Sequence, residues 1–358
     1  MTSSRDRVEL IDYARFFAAL AVVFFHYFYN GMQNGKIAHL SHVPVVSDIA
    51  QYGYIGVDIF FLISGFVIAS SAIGRTARSF IVGRAVRLFP AFWPSVLMTT
   101  LVAIFLGGKL MSVSAVQVAA NLTMVPQLFG QPFVDGVYWT LAYELAFYAL
   151  VAVLLIIRQG DRIDKVMSWW AIGMALISFL LPSASSYPFL GNYFMLFATG
   201  AVISAIRRTG WTRLRVVALL GCVIALTFFE SGIASDRGVS PGVVVALCLS
   251  FVCVLLATGH SRVSRLHLRG SSLVGRLTYP VYLIHAYIGY MLINALATED
   301  NKILAILGTA LAVFGLAYMV HMVFEVRMRP FWYFVFDRSI GVLIGVIERA
   351  RATSRTRI

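Results

Sequence analysis

Apolar stretches of about 20 residues recur along the whole of this 358-residue chain. Inside a bilayer no water is present to satisfy a backbone N–H or C=O, so such stretches must form helices. Ten of them can be counted, near residues 10–30, 53–73, 88–106, 138–157, 167–182, 189–206, 214–230, 242–259, 277–297 and 303–324. The expected fold class is therefore all-α, a polytopic membrane bundle of about ten transmembrane helices. The composition agrees. It is 59% hydrophobic and 13% charged, where a soluble domain carries about 25% charged residues. The first stretch does not read as a cleaved signal peptide, because it is too long, contains Arg15 and His26, and no small-residue cleavage site follows it.

A formal charge of +13 invites a nucleic-acid reading, and its distribution argues against one. With ten spans, alternate loops fall on one side. That side holds Arg5, Arg7, Arg75, Arg78, Arg84, Arg87, Arg158, Arg162, Lys165, and the arginines at 207, 208, 213, 215, 262, 265, 269 and 276. The basic tail from Arg327 to Arg357 lies there too, while the other side holds only Lys36, Lys109, Arg237 and Lys302. Lys and Arg collect in cytoplasmic loops, so both termini are expected in the cytoplasm. Anionic membrane lipid is an expected partner of the tail. Residues 1–330 are expected to form the membrane domain, and 331–358 an interfacial helix followed by a basic tail. The external connection 107–137 is expected to contain an amphipathic or re-entrant helix. Cys222, Cys248 and Cys253 all fall in apolar runs without metal-ligand spacing, so they read as buried structural thiols and no metal is expected.

Ionisable groups inside such spans are costly and point to a site. Arg15 and His26 lie eleven residues apart in the first span, about three turns, and so share a face. Ala18, Ala19 and Val22 between them keep that face small enough for a neighbouring helix or a ligand. Counting from the external ends, His26, Asp58 of the second span and Glu144 of the fourth should meet in the outer half of the membrane. An imidazole oriented by a carboxylate is the arrangement of a general base. Each also has a structural reading. His26 could be an interfacial histidine, Asp58 a helix cap, and Glu144 a packing group. Arg15 could snorkel or pair with Asp12. On the cytoplasmic side, Arg84 and Arg87 stand three residues apart just before an apolar span, with Pro90 near its start. Two guanidiniums on one face suit a polyanionic phosphate, although a positive loop flank would look the same. His285, in the run Tyr279-Pro280-Val281-Tyr282-Leu283-Ile284-His285, is expected in the inner half of the membrane, lining a path or bonding a neighbour.

Taken in order, these segments resemble the acyltransferase 3 family of integral membrane acyltransferases. The motifs are Asp12-x2-Arg15-x10-His26, Gly56-Val57-Asp58-Ile59-Phe60-Phe61 leading to Ser64-Gly65-Phe66, Arg84-x2-Arg87-x2-Pro90, Trp139-Thr140-Leu141-x2-Glu144-x2-Phe147-Tyr148, and Tyr282-Leu283-Ile284-His285. The resemblance covers residues 5 to 330. A Glu-Arg/Lys-Pro run, frequent in the family, here reads Glu325-Val-Arg-Met-Arg329-Pro330, a departure expected to touch only a peripheral feature. No hydrolase-like domain of the kind some members carry is fused to this chain, so it is expected to complete the transfer alone or pass the acyl group to a partner.

The resemblance implies transfer of an acyl group, by family precedent acetyl, from cytoplasmic acyl-CoA (acetyl-CoA) to a hydroxyl of an envelope or secreted glycan across a bacterial inner membrane. Arg84 and Arg87 would receive the CoA phosphates. His26 would be the base, and Glu144 or Asp58 would orient it. Arg15 would steady the CoA arm or polarise the thioester carbonyl. Ser64 and Gly65 would leave room for a channel, and His285 would line the donor path. A covalent acyl-enzyme on Ser64 remains an alternative route. The competing class is a proton-coupled exporter or flippase of a sugar or anionic substrate, which uses the same intramembrane groups. The paired arginines and the lack of an internal repeat favour the enzyme.

Overall fold

A computed structural model describes residues 8–181 and 193–355, and the side chains as far as 349. The end of the fifth expected span and the start of the sixth therefore lie outside the described residues, as do Arg5, Arg7 and the last three residues. Among the described residues every regular element is helical, as expected. The first half contains α1 (Glu9–Phe25), α2 (Gly31–Gln33), α3 (Val46–Ala50), α4 (Ile55–Ala72), α5 (Ala77–Leu106), α6 (Ala115–Asn121), α7 (Trp139–Ile156) and α8 (Ile163–Leu180). The second half contains α9 (Tyr193–Thr209), α10 (Arg213–Asp236), α11 (Pro241–Ala257), α12 (Ser261–Ser264), α13 (Ser271–Ile284), α14 (Ala286–Leu296), α15 (Lys302–Val320), α16 (Arg329–Phe336) and α17 (Val342–Arg355).

Eight helical stretches are long and apolar enough to cross a membrane: Glu9–Gln33, Val46–Ala72, Ala77–Leu106, Gly136–Ile156, Gly160–Leu180, Arg213–Asp236, Lys302–Arg327 and Arg329–Arg349. Pro241–Ala257 and Ala286–Leu296 are shorter apolar helices. The last of the eight begins where an interfacial helix was expected. Its Trp332 and Phe336 stack on Phe89 and Trp93 of α5, which docks it on the bundle.

Glycine sets how closely the central helices approach. A Cβ on Gly65 of α4 would strike the carbonyl of Phe197, and one on Gly200 of α9 would strike that of Leu62. These reciprocal contacts seat α4 on α9, the most extensive helix pair in the fold. On its other side α4 meets α1, where Gly56 lies against the carbonyl of Ala18 and beside Val22. The small face of α1 is thus used for helix packing, as small residues in membrane helices commonly are.

Two elements start or run differently from expectation. The third span was expected from residue 88, but α5 begins at Ala77, where the Thr76 hydroxyl accepts from Ser79 N–H at 3.1 Å. Arg84 and Arg87 are therefore helical residues inside the bundle, and Pro90 and Pro94 fall within the helix. In the connection 107–137 the expected helix is short. It is α6, closed by a reciprocal cap between Ser114 and Gln117 and followed by 3₁₀ turns at Pro126–Phe129 and Gly136–Tyr138. The Asn121 side chain straps this connection down, donating to Pro132 O at 2.9 Å and accepting from Val134 N–H at 3.0 Å.

Candidate active site

Helices α1, α4, α5, α7 and α13 enclose two chambers that share one wall. The first, about 100 Å³, is lined by Arg15, Ser64, Arg84, Arg87, Glu144 and Tyr148, with Tyr279 and Tyr282 closing it. The second, about 290 Å³, is lined by His26, Asn30, Tyr54, Asp58, Trp139 and Tyr193, with Lys36, Arg237, Tyr287 and Tyr290 around it. Val57 and Tyr282 line both. The Tyr282 hydroxyl is bonded to Thr140 Oγ1 at 2.9 Å and donates to Val137 O at 3.3 Å, which holds its ring as the partition.

His26 opens a π-helical turn, His26–Asn30, at the end of α1. Such turns widen a helix locally and often mark functional positions. His26 Nδ1 is bonded to the Tyr290 hydroxyl, and Asn30 Nδ2 donates to the same hydroxyl at 3.0 Å and lies 3.3 Å from Nδ1. A neutral imidazole that donates from Nδ1 to the tyrosine oxygen keeps its lone pair on Nε2. Tyr290 comes from α14, so this bond joins residues 264 positions apart.

The expected residues divide between the chambers. His26 and Asp58 do line the same one. Glu144 does not join them: it lies in the first chamber with Arg15, Arg84 and Arg87, and accepts from the Tyr148 hydroxyl at 2.5 Å. Counting residues placed it within two turns of the external end, and two turns is about 11 Å, enough to carry it past the Tyr282 partition. Neither Glu144 nor Asp58, the carboxylates expected to orient His26, is bonded to it, and its Nδ1 meets Tyr290 and Asn30 instead. His285 is also displaced from expectation. Helix α13 starts at Ser271, six residues before the expected span, so His285 lies about 21 Å along it and reaches the level of His26. The single channel expected from the arginines to His26 is two chambers with a tyrosine between them.

In the first chamber Arg84 Nη2 donates to Ser71 Oγ at 2.6 Å, and its guanidinium lies over the Phe80 and Tyr148 rings at 5.4 and 5.5 Å. Arg87 pairs with Glu325 Oε1 at 3.1 Å and lies over Tyr279 at 5.5 Å. The other oxygen of Glu325 is 2.7 Å from His321 Nδ1. Glu325, which heads the departing run, thus anchors a chamber arginine, while none of residues 326–330 lines either chamber. Ser64 lines the same chamber, and its hydroxyl has no histidine in that wall to activate it.

Several residues of the site carry no local signal in the sequence. Tyr290 and Arg237 reach the second chamber from distant segments, and Tyr282 reads in the sequence only as part of a motif. Asn30 was the legible one, since it stands four residues after His26 on the same helical face. Asp135, wholly buried, accepts from Val137 N–H at 3.1 Å and Tyr287 N–H at 2.9 Å. It thereby ties the start of α7 to the start of α14. Among the described residues no group of three or more His, Cys, Asp or Glu side chains could hold a metal.

Comparison with known proteins bears on the family. A family model described as an acyltransferase domain matches residues 8–322. Nodulation protein 10 of Rhizobium leguminosarum bv. viciae is 28% identical over 319 residues, covering 79% of this chain and 83% of that protein. No solved structure matches. The match takes in both chambers and every helix from α1 to α15, and on that ground this integral membrane chain belongs to the acyltransferase 3 family.

Proposed function

We propose that this protein is a membrane O-acyltransferase that moves an acyl group, acetyl in the first instance, from acyl-CoA to a hydroxyl of a glycan on the opposite face. The observation that carries the reading is the pair of chambers with one common wall, three arginines in one and the His26 imidazole in the other. In this reading the arginine chamber faces the cytoplasm and the membrane is a bacterial inner membrane, and the basic loops at that end support the orientation. There Arg84 and Arg87 suit the CoA diphosphate, which guanidiniums grip in a bidentate manner. From Arg15 to His26 is eleven residues of helix, about 16 Å. A pantetheine arm has about the reach of four extended residues, roughly 14 Å, a little less than this rise, so the thioester meets His26 past Val57 and Tyr282 where the imidazole projects toward the common wall.

In the second chamber the rings of Trp139, Tyr54, Tyr193 and Tyr287 suit the apolar faces of a sugar, and Asp58, Asn30 and Arg237 suit its hydroxyls. His26 Nε2 takes the proton of the acceptor hydroxyl as its oxygen attacks the thioester carbonyl. The C–O bond forms, the C–S bond breaks, and the thiolate leaves with the proton that His26 carries. Direct transfer suits a chamber wall that holds no histidine beside Ser64.

Sealed vesicles of known orientation test this. Labelled acetyl-CoA should support transfer only from the face bearing Arg84 and Arg87, and a glycan acceptor should be modified only from the other. Transfer with both substrates on one face would overturn the two-sided mechanism. Glycan or proton movement with no acyl transfer would replace the enzyme with an exporter.

A further inference from the structure

Beyond the arginine chamber, at the same end of the bundle, lies a third cavity of about 590 Å³ between the α4–α5 turn, the α7–α8 turn and α17. Three guanidiniums enter it from these three segments: Arg75, Arg158 and Arg349. The other charges on its wall are mostly committed. Arg78 is held in a fork by Asp337 at 3.0 and 2.8 Å, and Glu348 accepts from Ala77 N–H at 2.8 Å. Asp161 is the remaining carboxylate. Neither Arg75 nor Arg158 makes an ion pair within 4 Å among the described residues. Arg158 stands at φ 60°, in the left-handed region, where the chain turns from α7 toward α8.

An apolar groove of about 410 Å³ lies between α5 and α7, with Phe80, Ile81, Ala149 and Ala152 in its wall, and it shares Arg84 and Tyr148 with the first chamber. Its Ala152 and Val153 stand within one turn of α7 from Leu155 and Ile156, which line the third cavity. From Thr76 to Arg84 is about 12 Å of helix. The guanidinium of Arg75 lies back along this path, its Nη1 3.8 Å from where a Cβ on Gly83 would stand.

We propose that this cavity is a phosphate-monoester site for the 3′-phosphate of CoA, with the adenosine lying in the apolar groove. The inference rests on the acyl-CoA reading above and adds the groups that recognise the donor's far end. With the diphosphate at Arg84 and Arg87, the nucleoside spans the groove and its 3′-phosphate arrives between Arg75 and Arg158. A dianionic monoester is the charge that two guanidiniums without carboxylate partners select. The site would set this enzyme apart from one that accepts any phosphopantetheine thioester, because an acyl group on a carrier protein has no 3′-phosphate to offer.

The test uses the full chain in nanodiscs, titrated with CoA and with 3′-dephospho-CoA. The wild type should bind CoA at least tenfold more tightly. Arg75→Ala with Arg158→Ala should bring CoA down to the affinity of 3′-dephospho-CoA while leaving the latter unchanged, which also shows that the protein is folded. Equal affinities in the wild type would overturn the proposal, as would a preference that survives the double substitution or an equal loss of both ligands. No binding of either ligand to folded wild type would instead remove the acyl-CoA donor itself. Repeating the titration in phosphatidylcholine and in phosphatidylglycerol discs separates the two sources of phosphate. A CoA preference abolished by phosphatidylglycerol in the wild type would assign the cavity to a lipid headgroup and overturn the proposal.

Discussion

His26 and His285 stand ring to ring, their centroids 4.9 Å apart at an interplanar angle of 69°. They come from α1 and from the junction of α13 with α14, and their bonding differs. His26 Nδ1 reaches Tyr290, whereas His285 Nδ1 donates to the carbonyl of Tyr282 at 2.8 Å, leaving a buried Nε2 without a partner. His26 borders the second chamber and His285 packs behind it, so only His26 is placed to meet an acceptor.

The two histidines should therefore separate in a transfer assay. His26→Ala should lower the rate by about 10²–10⁴, the usual weight of a general base. Tyr290→Phe should cost about tenfold by releasing the bond that fixes the ring, about 1.4 kcal/mol. His285→Phe should be milder than His26→Ala, because the packing partner of the ring is kept. Near-normal transfer by inserted, folded His26→Ala protein would remove it as the base.

Arg87 and Glu325 should be coupled energetically. Glu325 is almost buried and Arg87 opens onto the first chamber. In a double-mutant cycle of Arg87→Ala and Glu325→Ala, the two losses should fall short of additivity by about 0.5–3 kcal/mol in unfolding free energy. The lower half of that range is expected, because the arginine is over a third exposed and solvent screens the pair. Strict additivity would mean that the ion pair contributes nothing.

The α4–α9 crossing should not tolerate a methyl group. Gly200→Ala places a Cβ against the Leu62 carbonyl and the Phe66 amide, both backbone atoms that cannot turn aside. A loss of about 1–3 kcal/mol is expected from overpacking. Gly173→Ala, at a position with open space around it, is the control and should leave stability unchanged. Equal behaviour of the two variants in thermal unfolding would contradict the crossing.

A pH-sensitive clasp closes the loop before α15. Glu299 accepts from Ser41 N–H and from the Ser41 hydroxyl, and pairs with Lys302 Nζ at 2.7 Å. The bond from Lys302, then those from Ser41, hold its carboxyl down at about 2. A depressed carboxyl stabilises the fold at pH above its ordinary value near 4.5 and loses that contribution as pH falls toward 2. Hydrogen exchange at the Ser41 amide should thus be slow and constant from pH 7 to 5, once corrected for intrinsic rates, and lose protection between 4.5 and 2. In Glu299→Gln the step should vanish. A step that persists in this variant would place the titrating group elsewhere.

What the sequence by itself determined is the class of fold and the roster of unusual residues. A bilayer leaves helices as the means of burying the backbone of long apolar runs, so their length alone was enough. Arg15, His26, Asp58 and Glu144 stood out because ionisable groups are costly in that setting, and Arg84 and Arg87 because two guanidiniums on one helical face suit a phosphate. Asn30, four residues after His26, carried a spacing signal too, though the sequence alone did not single it out. Depth counted along single helices was a poorer guide, because the start of a helix is set by its cap and its neighbours. Thr76 begins α5 eleven residues before the expected span, and α13 begins early enough to lift His285 to the level of His26. Only the tertiary structure decided which chamber each residue enters. That depends on how α4 sits between α1 and α9 and on where Tyr282 stands, so Glu144 went to the arginines and Tyr290 took the place beside His26. The His26–Tyr290 and Arg87–Glu325 pairings join side chains more than 200 residues apart, and no periodicity within one helix can encode them.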